Sequence, residues 1–354
     1  MAAKATPKKS PLIGEIAAFL TRYVTLPKEE ALICAHYVLH THQFSERCEN
    51  PVTTPYLYVF SAEKRSGKSR CMEVLGCLCR NFESVNNITS ATMFRLAATR
   101  CTLAIDEVDT YFTGTKANDD TVGTMNTGYR MGGYVPRYDA KSGEVIQFST
   151  FCPKIFVGID NGLMKDTTRD RCIPIHMHRQ TQEESAKVQP FYHYRIEDEL
   201  AELNGRIYDW SLENTKGMRD YDPEPIPSIA DNDRAVEVSV PLLQVAKVTG
   251  YEKEMREAIA KVFEENAVPE NTPETDMLLM IQELFDDLGT ERVTTEAILV
   301  KVQEDDRFRS LTKGTLNRKL QTFGIRSKTI RFPAGPMRGY ERSMFLDAWN
   351  RYCS

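Results

Sequence analysis

Long apolar stretches are absent from this chain of 354 residues, and no run approaches the roughly 20 residues that a helix needs to cross a bilayer. The N-terminal residues include lysines but no apolar core followed by a small-residue cleavage site, so no signal peptide is predicted. Hydrophobic residues make up 41% and charged residues 27% of the chain, as is typical of a soluble protein. We therefore expect a cytoplasmic protein that does not contact the membrane.

A paired cysteine pattern is missing as well. The nine cysteines are scattered and include no Cys-x-x-Cys motif, so neither a disulfide framework nor a zinc site is predicted. His36 and His40 stand one helical turn apart, but no cysteine or carboxylate joins them at ligand spacing. Packing of a helix is therefore the favoured interpretation of this pair.

Basic residues are slightly outnumbered by acidic residues, 45 against 50, and they are concentrated near the end of the chain. The net charge is −5, yet residues 309–342 contain nine basic residues and one acidic residue, a net charge of +8 that leaves −13 for the remainder. An acidic body with one strongly basic module predicts that contact with a polyanion is localised in that module.

The order of elements predicts an α/β protein, and the motif at residues 62–69 described next indicates a P-loop NTPase core of the RecA or AAA+ type. A chain of this length is expected to form more than one domain. Strands that alternate with helices favour a mostly parallel sheet covered on both faces. The predicted domains are an N-terminal tail and helical segment (1–50), a P-loop ATPase core (51–180), a helical lid (181–268) and a winged helix (269–354).

The strongest motif is Ala-Glu-Lys-Arg-Ser-Gly-Lys-Ser at residues 62–69, which follows a predicted strand at Tyr56–Ser61 and precedes a predicted helix. It fits the phosphate-loop pattern with Ala62 in place of the first glycine. Backbone N–H groups would surround a triphosphate, Lys68 would reach its β and γ phosphates, and Ser69 would bind Mg²⁺. The predicted ATP-binding residues are Ala62, Glu63, Lys64, Arg65, Ser66, Gly67, Lys68, Ser69, Arg70 and Arg234.

A second motif, Thr-Leu-Ala-Ile-Asp-Glu-Val-Asp at residues 102–109, is an apolar strand that ends in paired carboxylates. Burying acids at a strand end is costly unless a cation meets them. Asp106 is predicted to hold Mg²⁺ and Glu107 to orient or deprotonate the attacking water. Without the phosphate loop, a solvated acidic turn would be the favoured interpretation.

Polar residues follow a third strand, Lys154–Ile159. Asn161 is the predicted contact of the γ-phosphate or the lytic water, with Asp160 as the second choice. Arg169 and Arg171 precede the next strand, where an arginine of a ring ATPase can enter the neighbouring subunit's site. The alternative is a salt bridge to Asp166 or Asp170.

Two regions are predicted to contact DNA. A hairpin with its turn at Asp139–Gly143 would place Arg137 and Lys141 in a central channel, where they could grip a single strand, although an ordinary surface hairpin fits equally. In the basic module, phosphate contacts are expected from one helix and a hairpin. These contacts are assigned to Lys313, Arg318, Lys328 and Arg331.

Several of these segments together resemble a family of actinobacterial phage and mobile-element P-loop proteins, catalogued as a domain of unknown function and commonly described as helicases or primase-associated ATPases. The resemblance extends from about Leu12 to Tyr352 and implies a role in replication or recombination. In the family pattern Ala62 is no departure, and Arg171 is the more regular arginine. The similar segments are residues 37–42, 61–69, 105–109, 125–128, 170–171, 323–325 and 339–340.

The sequence thus predicts an ATP-dependent DNA helicase or translocase. It would form a homo-hexameric ring on single-stranded or forked DNA, with replisome proteins as further partners. The alternative is an initiator, loader or regulator that uses ATP as an assembly switch and unwinds little. A small-molecule kinase is disfavoured because the basic module would then have no task.

Overall fold

A computed structural model describes residues 9–86, 88–112, 119–160, 164, 166–266 and 273–353. The chain divides into two compact units, Met1–Ala267 and Val268–Ser354. Residues 1–8 of the predicted tail and residues 267–272 at the predicted lid boundary lie outside the described residues. In the part that is described, every helix is too short or too polar to span a bilayer.

The first unit combines a parallel sheet with helices. Its elements in chain order are α1 (Pro11–Tyr23), α2 (Lys28–His42), β1 (Tyr56–Ser61), α3 (Lys68–Gly76), β2 (Phe82–Val85), α4 (Ser90–Ala98), β3 (Thr102–Ile105), α5 (Asp119–Thr127), β4 (Tyr134–Asp139), β5 (Glu144–Ser149), β6 (Lys154–Ile159), α6 (Asp166–Arg169), β7 (Cys172–His176), α7 (Gln182–Lys187), α8 (Glu197–Asn214), α9 (Asp233–Thr249) and α10 (Glu252–Glu265).

Five parallel strands form the sheet in the order β2-β3-β6-β1-β7. Strands β1, β3 and most of β6 are buried, as expected for the centre of a sheet that carries helices. The predicted α/β class with a parallel sheet is therefore confirmed. Because the strands are parallel, the residues that follow β1, β3 and β6 meet at one edge, called here the C-terminal edge.

The two N-terminal helices pack against each other, and the break between them falls at Pro27, as predicted. Helix α2 is buried almost all round, including its histidines. His36 Nε2 lies 3.0 Å from Thr249 Oγ1, and His40 Nε2 lies 2.9 Å from Thr54 Oγ1. Burial lowers the pKa of His36 to about 4 and that of His40 to about 3, so both imidazoles are neutral packing groups at neutral pH.

A buried lysine anchors the opposite, N-terminal edge of the sheet. Lys154 Nζ donates to the carbonyl oxygen of Thr150 at 3.0 Å and lies 4.8 Å from the centroid of the Tyr56 ring. A Cβ atom on Gly128 would come within 2.2 Å of that same Thr150 oxygen. The segment Met125–Gly128 therefore packs closely against this edge, and glycine is required at its last position.

Strands β4 and β5 form a separate hairpin with the predicted turn. One face packs on α4, with the Phe148 and Phe94 ring centroids 4.9 Å apart. The other face carries exposed Tyr134, Tyr138 and Val145.

The second unit has a small antiparallel sheet in the order β8-β10-β9. Its core contains Phe285, Tyr340, Phe345 and Trp349, all buried. The second unit also contains the three-residue strand β8, which was not predicted. Its elements are α11 (Pro273–Leu288), β8 (Arg292–Thr294), α12 (Thr295–Val302), α13 (Lys313–Thr322), β9 (Lys328–Phe332), β10 (Gly335–Glu341) and α14 (Leu346–Tyr352).

Candidate functional site

A turn connects β1 to α3 at the C-terminal edge, and it contains the predicted phosphate loop. Arg65 and Gly67 adopt left-handed conformations, with φ of 65° and 88°, and α3 begins at Lys68. A left-handed arginine is uncommon and is maintained only where the surrounding structure fixes it. Residues 62–65 of the turn are exposed, whereas Ser66 is buried.

The Lys68 ammonium group lies inside this turn. Nζ donates to Ser61 Oγ at 2.6 Å, to Ser66 Oγ at 3.2 Å and to the Glu63 carbonyl oxygen at 3.0 Å. Partial burial lowers the pKa of Lys68, and the negative charges of Asp106 and Asp109 oppose that shift. The turn therefore presents a partly desolvated positive charge at a helix N-terminus, which is an arrangement suited to a polyanion.

Asp106 faces this turn from the end of β3. Ser69 Oγ donates to Asp106 Oδ2 at 3.2 Å, and the backbone N–H of Glu107 donates to Asp106 Oδ1 at 2.9 Å. A hydroxyl and a carboxylate are the oxygen ligands that Mg²⁺ accepts when phosphates and water complete its shell. The structure thus brings together the Lys68 turn and Asp106, and their oxygen atoms fit such a metal.

Glu107 follows with an exposed side chain and a left-handed backbone, φ 52°. Its carbonyl oxygen accepts from Thr110 at the start of a 3₁₀ turn over Val108–Phe112. The unusual conformation is set by the sharp change of direction after β3. It leaves the carboxylate of Glu107 in solvent beside Asp106, where it can meet a water molecule.

Sequence reasoning missed two residues of this edge, Ser61 and Asp109. The Ser61 hydroxyl donates to the Glu63 carbonyl and accepts from Lys68 and Ser66, so it fixes the turn. Asp109 Oδ1 accepts the backbone N–H of Ile159 at 3.2 Å and ties the 3₁₀ turn to the end of β6. The available signals were the position of Ser61 as the last strand residue and the second aspartate of the Asp106–Asp109 motif.

At the tip of β6, Asn161 lies outside the described residues. Asp160 precedes it and pairs with Arg169 through a 2.9 Å contact between Oδ2 and Nη2. The Arg169 guanidinium also lies 5.9 Å from the ring centroids of Tyr58 and Phe60. Arg169 therefore forms a salt bridge to Asp160 of the same chain, rather than to Asp166 or Asp170.

Arg171 lies at the N-terminal edge. Its carbonyl oxygen accepts from the N–H of Tyr56 at 3.0 Å, and its side-chain Nε donates to the carbonyl oxygen of Asn126 at 3.0 Å. The six residues of β1 separate this position from the Lys68 turn by roughly 17 Å. That distance exceeds the reach of one arginine side chain, so Arg171 cannot contact a ligand in the Lys68 turn of the same chain.

Arg234 belongs to the same neighbourhood. Its guanidinium lies 4.7 Å from the Tyr129 ring centroid, and Nη1 donates to Glu237 at 2.6 Å. Arg171 and Arg130 also lie near that ring, at 4.8 Å and 5.2 Å. We call Tyr129, Arg130, Arg171, Arg234 and Glu237 the arginine–tyrosine cluster. The structure does not bring Arg234 beside Lys68, where the sequence had placed it among the ATP-binding residues.

The predicted DNA contacts on the hairpin point in different directions. The Arg137 guanidinium lies 4.9 Å from the Phe94 ring centroid, on the face that packs against α4. Lys141 is exposed at the turn, where its N–H donates to Asp139. Of this pair, Lys141 is the one presented at the tip.

In the second unit the predicted phosphate contacts also divide into two groups. Lys313 pairs with Glu296, and Lys328 pairs with Glu341 at 2.6 Å. Arg318 and Arg331 are exposed, and among the residues that the structure describes no carboxylate lies within salt-bridge distance of either. Arg326 and Arg338 are likewise exposed, with no carboxylate within salt-bridge distance among the described residues. The unpaired positive charge of this unit therefore comes from arginines.

The fold and this edge define an α/β protein with a five-stranded parallel sheet and a lysine-containing turn that faces a carboxylate. The chain belongs to the family described as "Protein of unknown function (DUF3631)", which matches residues 176–352. This match extends from the last residue of β7 to the end of α14.

The chain is also similar to "Uncharacterized 28.9 kDa protein in xis 5'region" of Saccharopolyspora erythraea. The two are 28% identical over 178 residues, which represent 47% of this chain and 65% of the relative. The chain thus spans less than two thirds of that relative's length. Together the two matches confirm the predicted kinship with an actinobacterial family of unknown function.

Proposed function

We propose that this protein is a P-loop ATPase that acts as a ring on DNA, as a helicase or translocase in phage or mobile-element replication or recombination. The observation that carries the proposal is the 3.2 Å contact between Ser69 and Asp106 beside the ammonium of Lys68. Three residues from two separate strand ends thereby form one site for a triphosphate and its metal.

The residues of the C-terminal edge would have the following roles in ATP binding and hydrolysis. The backbone N–H groups of residues 63–70 surround the phosphates, and Lys68 exchanges its present hydroxyl contacts for phosphate oxygens. Ser69 and Asp106 hold Mg²⁺, which would neutralise charge on the β and γ phosphates. Glu107 orients or deprotonates the attacking water, and Asp109 keeps the tip of β6 in place.

A ring would supply a further cation directed at the γ-phosphate from outside the Lys68 turn, because Arg169, the arginine at this edge of the same chain, is paired with Asp160. Arg171 is too far from its own turn to act there, so its catalytic task would lie in the neighbouring subunit. Homo-oligomers with closed symmetry repeat such a contact at every interface. A hexamer is the ring that we expect, with replisome proteins as further partners.

In the second unit, the order of elements resembles that of a winged helix. Helices α11, α12 and α13 are followed by the β9–β10 hairpin. Such modules place a helix in the major groove and use the hairpin against the backbone. The exposed arginines supply the charge that phosphate binding needs. Of the predicted lid (181–268), the segment after α7 contacts Arg70 in the first turn of α3 and would cover the nucleotide, whereas the start of α9 lies at the opposite edge with Arg234.

Replacing Arg318 and Arg331 together by alanine should reduce the slope of log affinity against log salt by about 2, because each phosphate contact contributes about 0.9. The Lys313→Ala and Lys328→Ala pair removes the same formal charge but breaks salt bridges to Glu296 and Glu341. We expect it to change the slope by less than about 0.5. Fluorescence anisotropy with duplex DNA measures both, and equal slopes for the two double variants would contradict the assignment.

A second candidate function is an ATP-switched initiator, loader or regulator. The exposed arginines of the second unit favour this function, because they could bind duplex DNA at a specific site. Such binding needs little ATP hydrolysis. Footprinting on the element's own DNA separates the two functions, since a discrete protected site indicates a regulator.

The helicase proposal is tested by hydrolysis and unwinding. ATP turnover should rise about tenfold or more when forked DNA is added, and a labelled strand should be displaced only with hydrolysable ATP. Turnover indifferent to DNA, without displacement, would remove helicase action and leave the regulator.

A further inference from the structure

A segment beside the phosphate-loop helix, a loop that ends in a 3₁₀ helix at His193–Arg195, has no role in the site described so far. It comprises residues 188–195, between α7 and α8. The N–H of Gln189 donates to the Arg22 carbonyl oxygen at 2.8 Å, and the Phe191 ring meets the Tyr23 ring edge-on with centroids 5.0 Å apart. The segment is therefore fixed against α1.

Arg70 joins this segment to the Lys68 turn. It follows Ser69 directly in the first turn of α3, and its Nη1 donates to the Phe191 carbonyl oxygen at 3.2 Å. Its guanidinium also lies 5.2 Å from the Phe191 ring centroid. One side chain thus connects the start of the phosphate-loop helix to the residue that precedes Tyr192.

Beyond that contact the side chains turn outward. Phe191 is buried, but Tyr192 is 45% exposed and Tyr194 is 67% exposed. Their ring centroids are 5.9 Å apart, and the Arg195 guanidinium lies 4.6 Å from Tyr192 and 5.5 Å from Tyr194. A solvent-exposed tyrosine that is backed by a cation is suited to stacking with another flat, electron-rich ring.

We infer that Tyr192 is the platform on which the base of the nucleotide stacks while its triphosphate occupies the Lys68 turn. The inference rests on the proposed function and adds the part of the ligand that the phosphate loop does not explain. Arg70, in the first turn of α3, contacts the residue next to Tyr192, which places this tyrosine near the start of the phosphate-loop helix. Tyr192 is preferred to Tyr194 because it adjoins the residue that Arg70 holds.

The test compares two probes on the full chain, ATP with Mg²⁺ and inorganic tripolyphosphate with Mg²⁺, by titration calorimetry. Tyr192→Ala should weaken ATP binding about tenfold and leave tripolyphosphate binding unchanged, because only ATP carries a base. Tyr192→Phe keeps the ring and should bind both probes as the wild type does. Tyr352→Ala, at a tyrosine that is 51% exposed in the second unit, is the matched control and should change neither.

Other outcomes overturn the inference in distinguishable ways. Unchanged ATP affinity in Tyr192→Ala, or an equal loss for both probes, would reject a base platform while leaving the phosphate site intact. If Tyr192→Ala weakens the binding of a labelled single-stranded DNA and leaves ATP affinity unchanged, Tyr192 stacks with nucleic acid instead of the base of ATP. Failure of the wild type to bind either probe would reject the proposed function itself, and the platform with it.

Discussion

Lys68→Ala should lower the affinity for ATP by at least about 100-fold, whereas Glu107→Gln should leave affinity near the wild-type value and reduce turnover by about 100-fold to 10,000-fold. The ammonium of Lys68 is the charge at the centre of the turn, and its loss removes charge-assisted contacts to phosphate oxygens. The Glu107 carboxylate touches neither the loop nor Ser69 in the structure, so its amide isostere should disturb only the handling of water. The two variants thus separate binding from hydrolysis at one site.

Titration with a fluorescent ATP analogue and a phosphate-release assay measure the two effects. Lys253→Ala and Glu83→Gln are the matched controls, because both side chains are exposed and distant in sequence from the turn. The Ser66–Ser61 hydroxyl contact at 2.8 Å does not involve Lys68, so the turn should persist in Lys68→Ala, and thermal unfolding checks this. Normal turnover in Glu107→Gln would reject its role with water.

Arg171→Ala should spare ATP affinity and depress hydrolysis by about 1,000-fold, the effect of losing an arginine that stabilises charge on a transferring phosphoryl group. The geometry behind this expectation is the length of β1, which keeps Arg171 away from its own turn. Arg169→Ala is the informative comparison, because Arg169 already pairs with Asp160 at the C-terminal edge of the same subunit.

The decisive measurement is the ATPase activity of a mixture of the Arg171→Ala and Lys68→Ala proteins. Arg171→Ala subunits retain Lys68, and Lys68→Ala subunits retain Arg171, so about a quarter of the interfaces in a random equimolar ring would have both groups intact. Activity should therefore reappear when the two inactive proteins are mixed. No recovery, with ring formation shown by negative-stain imaging, would reject a shared site. Arg169→Ala should not be rescued by mixing with Lys68→Ala if it acts only within its own subunit.

Strand ends were the features that the sequence predicted best. The strands Thr102–Ile105 and Lys154–Ile159 were predicted with the limits that the structure shows, because each buried apolar run stops at an aspartate. Strand β2, at Phe82–Val85, is harder to delimit from the sequence. As an edge strand with exposed positions it carries only a weak apolar pattern. Within the predicted helical lid, Gly250 separates α9 from α10, and its φ of 77° ends α9.

The sequence by itself determined the lysine turn, the acidic strand end, the alternation of helices and strands, and the basic terminal module. These are properties of neighbouring residues, which local spacing and composition are able to report. Only the tertiary structure decided that Asp106 meets Ser69, that Arg169 and Arg171 serve opposite edges, and that Lys313 and Lys328 are paired while Arg318 and Arg331 are not. Strand order and ion pairing join residues that are far apart in the chain, and one sequence contains no record of those distances.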